Sequence, residues 1–290
     1  MQKITLTILF FLILGIPILL QAQENPFPKE ARKTARKEAK AKQKASQTYY
    51  LVMGLNARYG LSQDFRMSRS TYSGVGIGGI LSYRMRSPKI WEEVLMDLSS
   101  ATHYTSSELG VLDNTYGGID YRHLRHIKDL GAKEDWHLYL GGSIDTRANV
   151  KVNEALGNSG AHWEGISTLN LAGGLQKDFE LPLIKKPVSM DYQLAIPLFA
   201  YVYRGPAYSL SALDDQNHVF TSIWGLPRVN SELGLTFPFA KNNPNRLRVA
   251  YRWDFYGFND NEIHPVRSAQ HGLSLELLIN LGKQNLQSNG

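Results

Sequence analysis

Hydrophobic and polar side chains alternate with a period of two over long stretches of the chain. In residues 247–256, LRVAYRWDFY, every odd position is apolar or aromatic, whereas the even positions include Arg248, Arg252 and Asp254. Successive residues of a strand point to opposite faces of a sheet. The segment therefore predicts a strand with one unbroken apolar face and one charged face.

The same period recurs in ten segments that are separated by turn residues, which predicts an all-β protein. The segments span residues 49–60, 72–86, 90–104, 113–126, 135–148, 162–179, 187–203, 228–239, 246–257 and 270–281. Compact connections such as RSPK (86–89) alternate with longer polar ones such as FNDNEIHPVRSA (258–269). This wiring is typical of an outer-membrane barrel. We predict a transmembrane antiparallel up-and-down β-barrel of about ten strands over residues 48–282, with a soluble β-sandwich as the alternative.

Residues of one parity form the predicted lipid-facing wall. In the last segment these residues are Leu273, Leu275, Leu277, Ile279 and Leu281. Aromatic residues fall near both ends of the predicted strands: Trp91, Trp136, Phe179, Phe237 and Phe239 beside compact turns, and Tyr59, Tyr104, Trp253 and Phe255 beside long loops. Two such girdles suit the headgroup regions of a bilayer. Outer-membrane lipid is thus a predicted partner.

The opposite parity places charges of both signs in the predicted lumen. The expected charge network comprises Glu232, Arg252, Glu276, Arg248, Asp254, Asp120 and Arg122, and further inward charges are Arg58, Arg84, Asp97, Asp145 and Asp191. We expect Arg252 to lie opposite both Glu232 and Glu276, so that one guanidinium is held between two carboxylates.

Side chains are expected to fill this lumen, because a ten-stranded barrel is only slightly wider than the eight-stranded kind that side chains fill. A wide diffusion pore is therefore not predicted. The inward positions Gly74, Gly76 and Gly78 are expected to make room for bulky neighbours. The predicted role is a structural, binding or narrow-transport element.

No catalytic motif emerges from the sequence, and we predict that the protein is not an enzyme and has no cofactor. The alternative is a protease-like hydrolase at the rim of the barrel, with Asp145 and His162 as neighbours that activate a water. The pair His123 and His126 points to opposite faces of a strand, so no metal site is predicted there.

The longest predicted loop, between Gly205 and Pro227, is more apolar than exposure to water requires. Its Phe220, Ile223 and Trp224 are expected to fold over the barrel mouth as a lid, or else to form a contact for a ligand or partner. The lid is the preferred interpretation. No specific ligand is indicated.

The N-terminal region has the layout of an exported protein. Residues 1–22 read as a signal peptide cleaved after Ala22, with an uncleaved anchor as the alternative. We predict that residues 23–47 form a basic, partly helical periplasmic arm, in which the stretch 29–44 carries eight Lys or Arg and two Glu. The arm is expected to be solvated or to touch anionic headgroups. Nucleic acid is not an expected partner of an exported chain, and with no cysteines there is neither a disulfide nor a thiolate metal site.

Four stretches carry a resemblance to a known family: STYSGVGIGGILSYRMRSP, LPLIKKPVSMDYQLAIPLFAYVY, RVNSELGLTFPF followed by LRVAYRWDFYGF, and HGLSLELLINL. In these stretches the chain resembles uncharacterised outer-membrane β-barrel proteins common in the Bacteroidota. The likeness covers roughly residues 70–282 and leaves out the arm. It implies a barrel in the outer membrane of a Gram-negative cell envelope, inserted by the barrel assembly machinery, and assigns no activity. Residues 283–290 form a tail beyond the barrel.

Overall fold

The computed structural model describes residues 47–65, 69–106, 110–131, 135–153, 161–181, 187–205, 218–239, 243–258 and 265–282. The predicted signal peptide (1–22), the basic arm up to residue 46 and the tail 283–290 lie outside the described residues.

Eleven antiparallel strands form one sheet. They are β1 (Thr48–Asp64), β2 (Thr71–Arg86), β3 (Ile90–Thr105), β4 (Val111–Leu130), β5 (Trp136–Val152), β6 (Ala161–Glu180), β7 (Pro187–Arg204), β8 (His218–Ser222), β9 (Arg228–Pro238), β10 (Arg246–Phe258) and β11 (Val266–Asn280). β1 pairs with β11, and β6 pairs with β7, so the sheet closes on itself. The predicted closed, up-and-down, ten-stranded barrel is confirmed, with the short β8 as an addition.

The added strand β8 completes the wall beside β7. It pairs with Phe199–Tyr203 of β7, whereas β9 pairs with Ser189–Ala195 farther down the same strand. Together β8 and β9 therefore line the neighbouring edge of β7. The sequence interpretation missed β8 because its five residues lie inside a stretch read as loop.

The strands also extend beyond their predicted ends on the side of the longer connections, here called the loop end; the opposite end is the short-turn end. β1 reaches Asp64, β5 reaches Val152 and β11 begins at Val266. Much of the predicted loop sequence is therefore barrel wall. No helical segment long and apolar enough to span a bilayer occurs in the part of the chain that the structure describes.

The outer face of the barrel is apolar. Leu55 and Ile77 are each 75% exposed, and Leu273 and Leu275 are more than half exposed at the middle of β11. Exposed apolar area of this extent is unfavourable in water and suits hydrocarbon. The wall therefore has the surface of a membrane-spanning barrel.

One member of the predicted girdle, Trp91, is not on this surface. Its side chain is buried in the lumen with Leu124 and Tyr139, and the ring of Tyr139 meets that of Trp91 edge-on at 5.8 Å. Arg86 covers the other side of the indole, with its guanidinium carbon 4.4 Å from the ring centroid. Trp91 has the inward parity of Asp97 on the same strand, so the prediction of a headgroup aromatic at this position was wrong.

The inward glycines of β2 are explained mainly by close packing against the backbone of β3. At Gly74 the expected room for a bulky neighbour is also found, because Cδ2 of His103 would lie 2.7 Å from an added Cβ. A Cβ on Gly78 would lie 2.4 Å from the carbonyl oxygen of Leu98 and 2.5 Å from Cβ of Ser99, both on β3. Similar clashes with the β3 backbone would occur at Gly74 and Gly76. The two strands therefore approach so closely on the inner face that only glycine fits.

Candidate functional site: the charged lumen

Ion pairs fill the interior of the barrel. Among the residues that the structure describes, ten cationic side chains pair with ten carboxylates there. The cations are Arg58, Arg84, Arg86, Arg122, Arg147, Lys151, Arg204, Arg228, Arg248 and Arg252; the anions are Asp64, Glu93, Asp97, Asp120, Asp145, Glu164, Asp191, Glu232, Asp254 and Glu276. The equal numbers make the paired set neutral. Buried charges are tolerated when they are paired in this way.

Arg248 on β10 is the centre of the largest group of pairs, the Arg248 cluster. Its guanidinium donates hydrogen bonds to Asp191 at 2.7 Å, to Glu232 at 2.5 Å and to Glu276 at 3.0 Å. These carboxylates lie on β7, β9 and β11, which with β10 are four neighbouring strands of the wall. All four side chains are at most 2% exposed. Asp191 also contacts Arg86 of β2, on the opposite side of the barrel, at 3.3 Å.

Small residues give the Arg248 guanidinium its space. A Cβ on Gly234 of β9 would lie 2.1 Å from Nη2 of Arg248, and the adjacent inward residue on β10 is the buried Ala250. The alternating pattern of β9 and β10 thus places small residues where the Arg248 guanidinium lies over the inner face of β9. The sequence indicated an inward Arg248 but not this role for Gly234.

Arg252 lies between two carboxylates, but through a different register from the predicted one. Its backbone pairs with Glu232, as expected, and with Gly272 instead of Glu276, whose partner is Arg248. Arg252 nevertheless reaches both acids, donating to Glu232 at 2.6 Å and to Glu276 at 3.0 Å. Gly272 has no side chain that would block the path from Arg252 to Glu276. The predicted contact therefore exists, although the predicted register was wrong by four residues.

Asp120 and Arg122 pair with each other on one strand, β4. Arg122 Nε donates to Asp120 at 2.7 Å, and the same guanidinium hydrogen-bonds Gln193 on β7. Glu93, which the sequence interpretation did not single out, accepts a hydrogen bond of 2.6 Å from Arg84. Its parity matches that of Asp97 on β3, and this signal was available in the sequence.

Asp254 belongs to a second group around Arg147, the Arg147 cluster. Arg147 and Arg228 each contact both Asp145 and Asp254, which places β5, β9 and β10 in one network. A cavity of about 50 Å³ lies beside this cluster and is bordered by Arg58, Asp97 and Arg252 among others. That volume accommodates a few water molecules and no larger solute.

A third group, the Asp64 cluster, closes the loop end. Asp64 contacts Lys151 at 3.3 Å and Arg204 at 2.6 Å, and Glu164 lies 3.3 Å from the same lysine. Tyr256 also donates a hydrogen bond to Glu164. The sequence interpretation missed this cluster because Asp64 and Lys151 lie in stretches that were read as loops.

The proposed hydrolase pair is not assembled. Asp145 is bound by Arg147 and Arg228, whereas His162 faces Asp64 at 3.7 Å. On the β5–β6 ladder Asp145 pairs with Thr168 and His162 with Lys151, six residues farther along β5. At a strand rise of about 3.3 Å per residue the two side chains are roughly 20 Å apart. Asp145 and His162 were expected to be neighbours, and that prediction was wrong.

The lid prediction is also wrong for the described part of the loop. Phe220 is 73% exposed and stacks on the outward Phe199 of β7 with ring centroids 6.0 Å apart, and Trp224 is 91% exposed. Ile223 is 36% exposed. Phe220 therefore lies against the outer face of the wall, and Trp224 is almost fully exposed, so neither side chain is packed over the mouth. The other interpretation, a contact for a ligand or partner, stays a prediction.

Comparisons with known proteins give a family and a set of similar folds. A family model described as "Protein of unknown function (DUF3316)" matches residues 6–287. No curated protein matches the sequence.

Among solved structures, the chain is similar to the outer membrane protease OmpT from Escherichia coli, with 7% identity, 81% of this chain and 95% of that chain covered, and a TM-score of 0.41. It is also similar to the translocator domain of the autotransporter NalP from Neisseria meningitidis, with 9% identity, 84% of this chain and 97% of that chain covered, and a TM-score of 0.34. A third similar structure is Neisserial surface protein A, with 10% identity, 78% of this chain and 96% of that chain covered, and a TM-score of 0.31. At these identities and TM-scores we draw no inference about this chain from the likeness.

Proposed function

Since the chain belongs to the DUF3316 family of proteins of unknown function, we propose its role from the geometry of the barrel. It is an outer-membrane β-barrel of structural or binding type whose lumen is closed to free diffusion. The observation that carries this proposal is the set of ion pairs that join distant strands through the interior, namely Arg86 of β2 with Asp191 of β7 and Arg147 of β5 with Asp254 of β10.

Location in the outer membrane is supported by the physical character of the wall. The outward face is apolar along all ten long strands, and the even strand number and compact turns are typical of single-chain outer-membrane barrels. Lipid is accordingly the partner of the wall. Contact of residues 29–44 with anionic headgroups, insertion by the barrel assembly machinery, cleavage after Ala22 and origin in the Bacteroidota stay predictions.

A closed lumen is supported by the energetic cost of opening it. A solute passing through would have to separate the pairs that cross the interior, Arg86 with Asp191 and Arg147 with Asp254, and breaking one buried ion pair costs about 3–5 kcal/mol. A narrow-transport role is the second candidate, favoured by the cavity beside the Arg147 cluster. Step conductance distinguishes the two candidates.

We further propose that the protein is not an enzyme. The carboxylates of the Arg147 and Asp64 clusters are held by arginine or lysine, so they are poorly placed to accept a proton from water. Hydrolysis of peptides or phospholipids by the purified barrel, abolished by Asp145→Asn or His162→Ala, would refute this part of the proposal.

We expect the purified protein in planar lipid bilayers to show no step conductance, with a porin in the same apparatus as the positive control. The variant Phe220→Ala/Trp224→Ala should behave identically, because both side chains are largely exposed and neither belongs to the ion-paired interior. Stable conductance steps in the unmodified protein would contradict a closed lumen and favour narrow transport. Conductance steps that appear only in the double variant would show that Phe220 and Trp224 block the barrel mouth, as the lid interpretation holds.

A further inference from the structure

Three potential metal ligands meet at the short-turn end of β4 and β5. His126 Nε2 lies 2.9 Å from Asp129 Oδ1, and His137 Nδ1 lies 2.5 Å from the same oxygen. The ligand atoms of the three residues all lie within 4.8 Å of one another. Two neutral imidazoles and one carboxylate form a donor set with a single negative charge, which suits a divalent transition-metal ion.

A β-bulge creates this arrangement. The register of β4 against β5 shifts between His126, which pairs with Tyr139, and Lys128, which pairs with Leu138. Without the extra residue, Ile127, the side chains of His126 and Asp129 would point to opposite faces of the strand. With it, Asp129 pairs with His137 and shares a face with His126. Bulges that re-aim a side chain in this way occur frequently beside functional sites.

Packing holds one of the ligands in place. The ring of His126 lies against Tyr139 with centroids 5.5 Å apart, and Tyr139 is itself buried against Trp91. The ligand side chains are only partly covered, with 24% exposure for His126 and 38% for both Asp129 and His137. A bound ion would therefore keep a coordination position for water, as three-ligand zinc sites do.

A second group with metal-ligand chemistry, formed by Asp64, His162 and Glu164, is a poorer candidate. Lys151 and Arg204 already neutralise its two carboxylates, at 3.3 Å and 2.6 Å from Asp64. A divalent ion there would lie beside two fixed positive charges. Of the two groups found among the described residues, the one at the short-turn end is thus the better suited to a cation.

We propose that His126, Asp129 and His137 bind a divalent transition-metal ion of the Zn²⁺ class at the short-turn rim of the barrel. In the metal-bound site, each neutral imidazole would present the lone pair of the nitrogen that faces Asp129 and carry its proton on the other ring nitrogen. The ligand atoms would move apart by about 0.4–0.9 Å to accommodate metal bonds of about 2.0–2.1 Å in tetrahedral geometry. The partial exposure of all three side chains permits this movement. The site goes beyond the proposed role of the barrel and does not depend on whether the lumen conducts.

Titration of the full, tag-free barrel in detergent with ZnCl₂, followed by calorimetry, tests the proposal. We expect one ion per chain, no competition from excess Mg²⁺, and a loss of at least about tenfold in affinity for His126→Ala, His137→Ala and Asp129→Asn, since even outer-shell changes cost 10–100-fold. The matched control is His123→Ala, which removes a histidine of the same strand that pairs with Glu92 at 2.6 Å outside the site.

Heat-modifiable migration on gels shows that each variant still forms the barrel. Absence of saturable Zn²⁺ binding by the unmodified protein overturns the proposal. Equal affinity in the His137→Ala variant, or an equally large loss in His123→Ala, overturns it as well, because binding would then reside elsewhere on the chain.

Discussion

Replacement of Arg248 by alanine is expected to lower the free energy of unfolding of the barrel by about 3–5 kcal/mol. The change leaves Asp191, Glu232 and Glu276 close together with their shared cation removed. Glu232 and Glu276 keep Arg252, and Asp191 keeps Arg86, but the buried set is left with one uncompensated negative charge, which is costly in a low-dielectric interior. Urea unfolding of the protein in lipid vesicles, followed by tryptophan fluorescence, measures the change.

Two further variants test whether the loss of stability is specific to the guanidinium of Arg248. Arg248→Lys retains the positive charge but loses the planar fork that reaches three acids, so its stability should lie between those of the parent and the alanine variant. Arg125→Ala removes an exposed arginine of β4 and should change the free energy of unfolding by less than about 0.5 kcal/mol. Unfolding of Arg248→Ala at the same urea concentration as the parent would show that the Arg248 cluster contributes little to stability.

The second large effect is expected at Gly78. The Cβ of Gly78→Ala would lie 2.4 Å from the Leu98 carbonyl oxygen and 2.6 Å from Oδ1 of Asn56, so β2 and β3 must move apart. Forcing extra atoms into a packed interior typically costs about 1–3 kcal/mol. The same urea titration in vesicles measures this loss.

Gly79 supplies the matched control for Gly78. It is the next residue of the same strand but points outward, and the nearest atom to its added Cβ is 4.0 Å away. Gly79→Ala should therefore leave stability unchanged or raise it slightly, because it restricts the unfolded chain without a clash. Equal losses for the two substitutions would mean that strand propensity, and not the close approach of β3, explains these glycines.

Residue parity predicted most of the barrel, because a wall between lipid and a polar interior imposes a period of two on every strand. This constraint is local, so the strands and the inward positions of Arg248, Asp120 and Arg122 could be predicted from sequence alone. Trp91 had the same signal, but its chemical type suggested a headgroup position that its parity did not support.

Features that depend on pairing between strands could not be predicted in the same way. The bulge at Ile127 reverses the parity of Asp129, and only the β4–β5 register shows it. Contacts across the lumen, such as Arg228 with Asp145, depend on the shear and radius of the closed barrel. The separation of Asp145 from His162 and the pairing of Arg252 with Gly272 follow from the registers of β5 with β6 and of β10 with β11, which residue parity does not determine.

The claim that lipid covers the outer face and paired ions fill the inner face is tested most directly by two adjacent residues of β11. The chain has no cysteine, so Leu275→Cys and Ser274→Cys each provide one spin-labelling site, the first exposed and the second buried. In vesicles, a label at residue 275 should collide with oxygen dissolved in lipid and be shielded from a water-soluble nickel chelate, whereas one at 274 should be shielded from both. Access of the nickel chelate to residue 275, or of lipid-dissolved oxygen to residue 274, would contradict the predicted orientation of the wall.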